Sequence, residues 1–418
     1  MAEAHLIGNV NDTRRSRESV SMASIAQTDQ MKVIPAGAKP AAATARLMSI
    51  DALRGLVMVI MLLDHVRETW FLHLQVSDPM DARTIVPALF FTRLTSTICA
   101  PVFVALTGLS AYLFGQKHSK AETSAFLLKR GLFLMFLELT FVAFAWSAKF
   151  PPQTLWLQVI WAIGVSMVVL AAMLHLSRGA LVVVGLVIVC GHDLLDGIVL
   201  APGDSFYIPW AMLHQRGVFE LAGITIKTTY PVLPWIGLIA LGYAIGPWFS
   251  GLAADDRRRR LLTLGLGMIA AFIVLRALNI YGDKPWFVVP GEPLRTVMSF
   301  LALTKYPPSL LFLLPTLGVG TVLLGQFEKL EGGNLSRWLS ILGGAPMFFY
   351  MFHLYVLKIF YLIALAIWGP NKGTVFGVDH LYVVWLWYVG LIVPLYFPTR
   401  WFSNLKKRRK DIWWLKYL

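Results

Sequence analysis

Charge is scarce in this sequence. Asp, Glu, Lys and Arg make up 14% of its 418 residues, where a soluble domain usually carries about 25%. Cysteine is scarcer still: the chain has 2, Cys99 and Cys190, both inside apolar runs. That number excludes a disulfide framework or a cysteine zinc site and leaves two small buried side chains. There is no Walker loop, no zinc-ligand spacing and no nucleophile elbow, and no internal repeat of the kind many transporters carry. What is abundant is apolar. Hydrophobic residues make up 57% of the chain, with 15 Trp and 26 Phe. Several runs are long enough to cross a bilayer, so the composition reads as an all-α, polytopic membrane helical bundle.

The formal net charge is +14. In a soluble protein this would suggest nucleic acid. Here the basic residues gather in short loops and in both tails, which the positive-inside rule explains without a nucleic-acid partner. Residues 1–45 are polar, Ala/Ser-rich and aperiodic, and read as a disordered cytoplasmic tail, leaving 46–418 as the membrane domain. Ten spans are predicted, at about 47–67, 87–115, 131–148, 154–176, 179–199, 230–249, 261–280, 305–326, 339–367 and 381–400. Arg257 to Arg260 and the Lys406–Lys410 run then fall on the inner side, and both termini are cytoplasmic.

The first span carries the most information. It runs Arg46-Leu-Met-Ser-Ile-Asp51-Ala-Leu-Arg54-Gly55-Leu-Val-Met-Val-Ile-Met-Leu-Leu-Asp64-His65-Val-Arg67. Asp51 and Arg54, three apart, share a helix face at the inner end. Arg54 and His65 are eleven positions apart, which is about 16 Å along the axis with a residual rotation of only about 20°. One face therefore holds a guanidinium low and an imidazole high. Ionisable groups at membrane depth are costly and point to function. His65 has the chemistry of a general base, with Asp64 as the neighbour that could hold one ring nitrogen, although adjacent helical residues point about 100° apart. His73 is the rival histidine, topping the same helix or beginning the outer loop. Arg54 either neutralises Asp51 or reads phosphate with its planar fork, and Arg93 has the same choice near the outer side. Glu138, Lys305, His353 and Lys358 lie in or beside spans, where ion pairs between helices are the plain expectation. The glycines of Leu342-Gly343-Gly344-Ala345-Pro346 are expected to permit close helix contact or a kink. The residues alone leave two classes open: an enzyme working at His65 or His73, and a transporter whose intramembrane charges bind substrate or relay protons.

Ser49-Ile50-Asp51-Ala52-Leu53-Arg54-Gly55 followed by Asp64-His65 resembles the first helix of the heparan-α-glucosaminide N-acetyltransferase catalytic-domain family, in its bacterial branch. Similar stretches are Cys99-Ala100-Pro101-Val102-Phe103 with Gly108, Gln158-Val-Ile-Trp161-Ala-Ile-Gly164, Tyr230-Pro231 with Pro234-Trp235-Ile236-Gly237, Thr304-Lys305-Tyr306-Pro307-Pro308-Ser309-Leu310, and Pro346-Met-Phe-Phe-Tyr350 with His353. The Arg54–His65 spacing also resembles the arginine–ten residues–histidine motif of the type-3 membrane acyltransferases. The resemblance implies a multi-pass enzyme of a bacterial inner membrane that moves an acyl group, acetyl above all, from cytoplasmic acyl-CoA to an extracytoplasmic glycan or small-molecule acceptor, with acetyl-CoA as donor and no metal. It implies catalysis at His65 with Asp64, or at His73, and donor contacts at Arg54, Asp51 and Arg93. The type-3 spacing selects His65 without a gap; the animal lysosomal relative selects His73.

Overall fold

The computed structural model describes residues 47–409 and 411–416; the tail expected at 1–45 lies outside the described residues. The chain is mainly helical. Helix α1, Met48–Trp70, is followed by α2, Pro87–Thr95, a short 3-10 turn, and α3, Cys99–Gly115. Next come α4, Lys120–Leu137, a π turn at Glu138–Val142, and α5, Ala143–Ser147, which together form one helical run. Strand β1, Thr154–Leu157, leads into α6, Val159–Met173, and then α7, Arg178–Gly191. A short α8, Tyr207–Leu213, and strands β2, Gly217–Leu221, and β3, Ile224–Thr228, precede α9, Leu233–Ala244. The remainder comprises α10, Pro247–Gly251, α11, Ala254–Leu278, α12, Pro293–Leu301, α13, Leu310–Lys329, α14, Asn334–Gly343, α15, Pro346–Trp368, and α16, Leu381–Arg408.

Among the described residues 7 helical runs are long and apolar enough to cross a membrane: Pro87–Gly115, Arg178–Leu195, Leu233–Gly251, Ala254–Leu278, Leu310–Lys329, Pro346–Trp368 and Leu381–Arg408. The other expected spans coincide with helices that miss this standard for identifiable reasons. Helix α1 is long enough but carries Asp51, Arg54, Asp64, Arg67 and Glu68. The α4–α5 run is interrupted by its π turn, and α6 is short at 15 residues.

One expectation needs correction. The span expected at 339–367 is two helices. Gly344 and Ala345 separate α14 from α15, and Ala345 (φ −136°, ψ 57°) is held out of the helical region by the following Pro346, which restarts the chain at the first helical position. The mainly helical bundle also carries a small sheet. The outer segments at 154–157 and 217–228 form a small sheet of order β1-β3-β2, with β1 parallel to β3 and β2 antiparallel to it. The β2–β3 hairpin turns at Ala222 and Gly223, both with positive φ, the twist a two-residue hairpin prefers.

Helix α1 is the hub, packing against α3, α13, α14, α15 and α16. Its approach to α14 is backbone on backbone. A Cβ on Gly343 would stand 1.9 Å from the Asp51 carbonyl oxygen, and one on Gly55 would stand 2.0 Å from that of Leu339. Only glycine permits this spacing, the small-residue packing expected of helices in lipid. The contact brings the Gly343 carbonyl to the inner end of α1, and the restart at Pro346 points α15 along its outer half.

Candidate active site

His65 lies on the outer half of α1, 8% exposed. Its Nδ1 is 2.6 Å from Nε2 of His353, and Nδ1 of His353 is 2.6 Å from the Phe349 carbonyl oxygen one turn earlier on α15. The rings of the two histidines stack with centroids 4.9 Å apart. A carbonyl only accepts, so neutral His353 must donate from Nδ1 and accept at Nε2. His65 must then donate from its own Nδ1. That leaves Nε2 of His65 as the unprotonated nitrogen, with no hydrogen bond among the described residues. The tautomer a general base needs is fixed by a relay that ends on a backbone oxygen. Trp146 and Tyr350 meet the His65 ring edge-on, at centroid distances of 5.5 and 5.6 Å, and wall it from lipid. Trp146 is set there by the π turn, whose wider pitch shifts the face of the helix that follows. Glu138 opens that turn, 2% exposed. It lies near the backbone N–H groups of Gln158, Ile160 and Trp161 at the start of α6; among the described residues its Oε2 makes no hydrogen bond and it forms no ion pair.

Asp64 points elsewhere. Its Oδ1 accepts from Arg67 Nε (3.2 Å) and Nη2 (3.0 Å), and its Oδ2 accepts from Arg93 Nη1 (2.9 Å). The ring partner of His65 is therefore His353, and Asp64 anchors two guanidiniums on an adjacent face of α1, as the 100° offset between neighbours dictates. Arg93 also donates to Ser96 Oγ at 3.0 Å and to the Tyr306 hydroxyl at 3.4 Å, which lies 3.4 Å from the Tyr230 hydroxyl. This outer cluster joins α1, α2, the segment before α9 and the turn before α13.

At the inner end, Arg54 donates to Asp51 Oδ1 (2.7 Å), to the Gly343 carbonyl (3.2 Å) and to Ser110 Oγ (3.0 Å). Its side chain remains 17% exposed. A second guanidinium, Arg130 on α4, interacts electrostatically with Arg54, and its buried Nε has no hydrogen-bond partner among the described residues. Next to Arg54 along the chain, Leu53 lines a small apolar cleft of about 30 Å³ between α1, α3, α11 and α13, with Val102, Leu109, Leu261, Leu317 and Leu324.

His73 is separated from His65 by the end of the helix. Helix α1 stops at Trp70, and His73 packs on the Phe71 ring at 5.3 Å. It also meets the backbone at Gly377 so closely that a Cβ there would stand 2.3 Å from its Nδ1. Burial, and then the nearby Lys372 ammonium, push its imidazole below the ordinary histidine value. Each histidine thus has its own surroundings: the outer loop for His73, the α1–α15 interior for His65. Among the described residues no group of three or more His, Cys, Asp or Glu side chains is placed to hold a metal ion.

The His353 partnership is invisible in sequence, 288 residues from His65. The signal in sequence is a histidine inside a mostly apolar helix. Comparison with known proteins bears on the first part of the chain. A family model described as heparan-alpha-glucosaminide N-acetyltransferase, catalytic, matches residues 46–284. No curated protein matches the chain. The matched residues contain Asp51, Arg54, Asp64, His65, His73 and Arg93; Lys305 and His353 lie beyond them. With more than half of its length matched, the chain belongs to the heparan-alpha-glucosaminide N-acetyltransferase catalytic family, a family of membrane acetyltransferases.

Proposed function

We propose that this protein transfers an acetyl group from acetyl-CoA on the cytoplasmic face of a bacterial inner membrane to a hydroxyl or amine of a sugar or related acceptor on the other face, with His65 as the general base. The observation that carries this reading is the hydrogen-bonded line His65–His353–Phe349, which leaves Nε2 of His65 unprotonated beside the Trp146 and Tyr350 rings. Orientation follows from charge. Ser110, which meets Arg54, lies five residues before the end of α3, and Lys117 and Lys120 follow at once. The Arg54 end of α1 therefore belongs to the basic, cytoplasmic side.

In this reading the donor's phosphates meet Arg54, which Asp51 holds in place, and Arg130 adds a second positive charge. The pantetheine arm runs outward beside α1 over the roughly 16 Å that eleven helical residues span. At the outer half the acceptor hydroxyl or amine attacks the thioester carbonyl carbon while His65 Nε2 takes its proton. The carbonyl π pair moves to oxygen, giving a tetrahedral intermediate. Collapse re-forms the carbonyl and breaks the carbon–sulfur bond, and His65 returns the proton to the departing CoA thiolate. Arg93, held by Asp64 at this level, faces the acetyl and acceptor groups rather than the phosphates. His73 sits on the outer approach, where it can meet the acceptor.

The test is reconstitution. Full-length protein in proteoliposomes, given labelled acetyl-CoA on the cytoplasmic side and glucosamine on the other, should release CoA and yield N-acetylated sugar. His65→Ala should lower the rate by about 10²–10⁴, the usual share of a general base, while inserting normally. Transfer that survives in His65→Ala and fails in His73→Ala would move the role to His73. Uptake of solute with no CoA release from the wild type would refute the enzyme reading.

A further inference from the structure

The turn joining α12 to α13 is fixed by more charge than a loop requires. Asp283 accepts from Thr304 N (2.8 Å), Thr304 Oγ1 (2.7 Å) and Ser309 Oγ (2.6 Å). Asp78 accepts from the backbone N–H groups of Lys305 (3.0 Å) and Tyr306 (2.9 Å). Asp193 accepts from Leu310 N at 3.0 Å. The carboxylates come from separate segments and converge on seven consecutive residues, Thr304-Lys-Tyr-Pro-Pro-Ser-Leu310. These carboxyl oxygens accept from backbone N–H groups and hydroxyls all along the turn, so its backbone polar groups are satisfied and its path is fixed.

What the turn presents is Lys305. The residue is 5% exposed. Its ammonium lies over the Tyr306 ring, 5.1 Å from the centroid, and makes no hydrogen bond or ion pair among the described residues. The ion pair between helices expected for it from sequence is thus not formed there. The nearby carboxylates are committed: Asp64 to Arg67 and Arg93, and Asp78 to the backbone of the turn itself. Yet the ammonium stands near enough to interact electrostatically with Asp64, His65, Glu68 and Cys99. Burying a cation without a partner is expensive. A fold that clamps a turn with three aspartates to do so is holding that charge for a group that arrives later. The guanidiniums of this cluster already spend donors, Arg67 on Asp64 and Glu68 and Arg93 on Asp64, Ser96 and Tyr306.

We propose that Lys305 is a catalytic residue of the acyl transfer, its ammonium donating a hydrogen bond to the thioester oxygen as negative charge develops there. This rests on the reading of His65 as base. As the acceptor's O–H or N–H proton passes to His65 Nε2 and the new bond to the carbonyl carbon forms, the π pair of the C=O becomes the oxyanion. Lys305 meets it with a donor aligned beforehand by the clamped turn and keeps its own proton. When the oxygen pair re-forms the carbonyl, the carbon–sulfur bond breaks and the proton on His65 goes to the CoA thiolate. Preorganised donors of this kind, in a site shielded from water, supply the largest electrostatic share of acyl-transfer catalysis.

Initial rates of CoA release would be measured for full-length protein in nanodiscs, with acetyl-CoA and glucosamine, for wild type, His65→Ala, Lys305→Met, Lys305→Gln and Lys305→Arg. Lys305→Met should lower kcat by about 10²–10³, as loss of one oxyanion donor does, with KM for acetyl-CoA little changed and the thermal midpoint near that of wild type. Lys305→Arg should recover part of kcat. A folded Lys305→Met protein with wild-type kcat overturns the proposal, as does a change confined to KM, which would make Lys305 a binding group. Loss of the fold in both Lys305→Met and Lys305→Gln assigns the charge to stability and overturns it too. Undiminished turnover in His65→Ala with a deficit in Lys305→Met refutes the base and retains Lys305. No CoA release from wild type refutes acyl transfer and this role with it.

Discussion

His353 offers the sharpest perturbation, because its contribution can be worked from the geometry. It touches neither end of α1; it fixes which nitrogen of His65 carries the proton. Replacing it by Phe keeps the ring volume and removes the acceptor 2.6 Å from His65 Nδ1. In the variant, the productive tautomer leaves that N–H buried between Trp146 and Tyr350 without a partner. An unsatisfied buried donor costs about 1–3 kcal/mol, and each 1.4 kcal/mol is about tenfold in population. The fraction of His65 ready to accept a proton at Nε2 should therefore fall by roughly 5–150-fold. The loss should appear in kcat, with KM for acetyl-CoA little changed, since the donor's phosphates are handled at Arg54. It should also stay below the deficit of His65→Ala. His353→Gln, whose side-chain oxygen can accept, should recover much of it. The assay is steady-state CoA release in nanodiscs, with the thermal midpoint as a control for folding. A folded His353→Phe protein with wild-type kcat would show that the His65 tautomer does not matter, and the relay argument would fail.

Two further outcomes concern structure. Gly343→Ala should destabilise by about 1–3 kcal/mol or more, the cost of overpacking, because its Cβ would stand 1.9 Å from the Asp51 oxygen. The thermal midpoint in detergent should drop, and KM for acetyl-CoA should rise as Arg54 loses its bond to the Gly343 carbonyl; unchanged values of both would contradict the close approach. His73 supplies a pH dependence. Its imidazole is held below the ordinary value of 6.5 by burial and by Lys372, so below that pH the unfolded chain binds the proton more readily than the folded one. This contribution to stability is level above the unfolded value and is lost as pH falls through the folded one. Melting from neutral pH to about pH 5 should show a shallower decline for His73→Phe than for wild type; parallel curves would refute it.

The sequence reading was strongest where chemistry is local. A polar face on an otherwise apolar helix is written in the spacing of Asp51, Arg54, Asp64 and His65, and the Asp51–Arg54 pair forms as the three-residue offset anticipates. The glycines at 343–344 were expected to permit a close helix contact or a kink, and Gly343 makes the contact. The division of that span into two helices was missed because Leu339 to Trp368 is mostly apolar on both sides of it, and hydropathy does not register a turn made of Gly, Ala and Pro. The small sheet escaped for the opposite reason: its strands are short, and β1 at 154–157 pairs with β3 at 224–228, distant in sequence. Partnerships across the bundle were the least legible. Nothing near His65 reveals that its ring bonds to His353 while Asp64 turns to Arg93, because helix packing decides it. Lys305 likewise reads from sequence as one partner of an ion pair between helices, and only the fold shows Asp78, Asp193 and Asp283 binding its turn instead.

The central claim is that His65 is the base that carries the proton during acetyl transfer. It is tested most directly by single-turnover transfer from labelled acetyl-CoA to glucosamine across a proteoliposome membrane, comparing wild type with His65→Ala. The account predicts transfer by the wild type and a rate lower by about 10²–10⁴ in the variant, with acetyl-CoA binding preserved through Arg54. Equal single-turnover rates in the two proteins would contradict it.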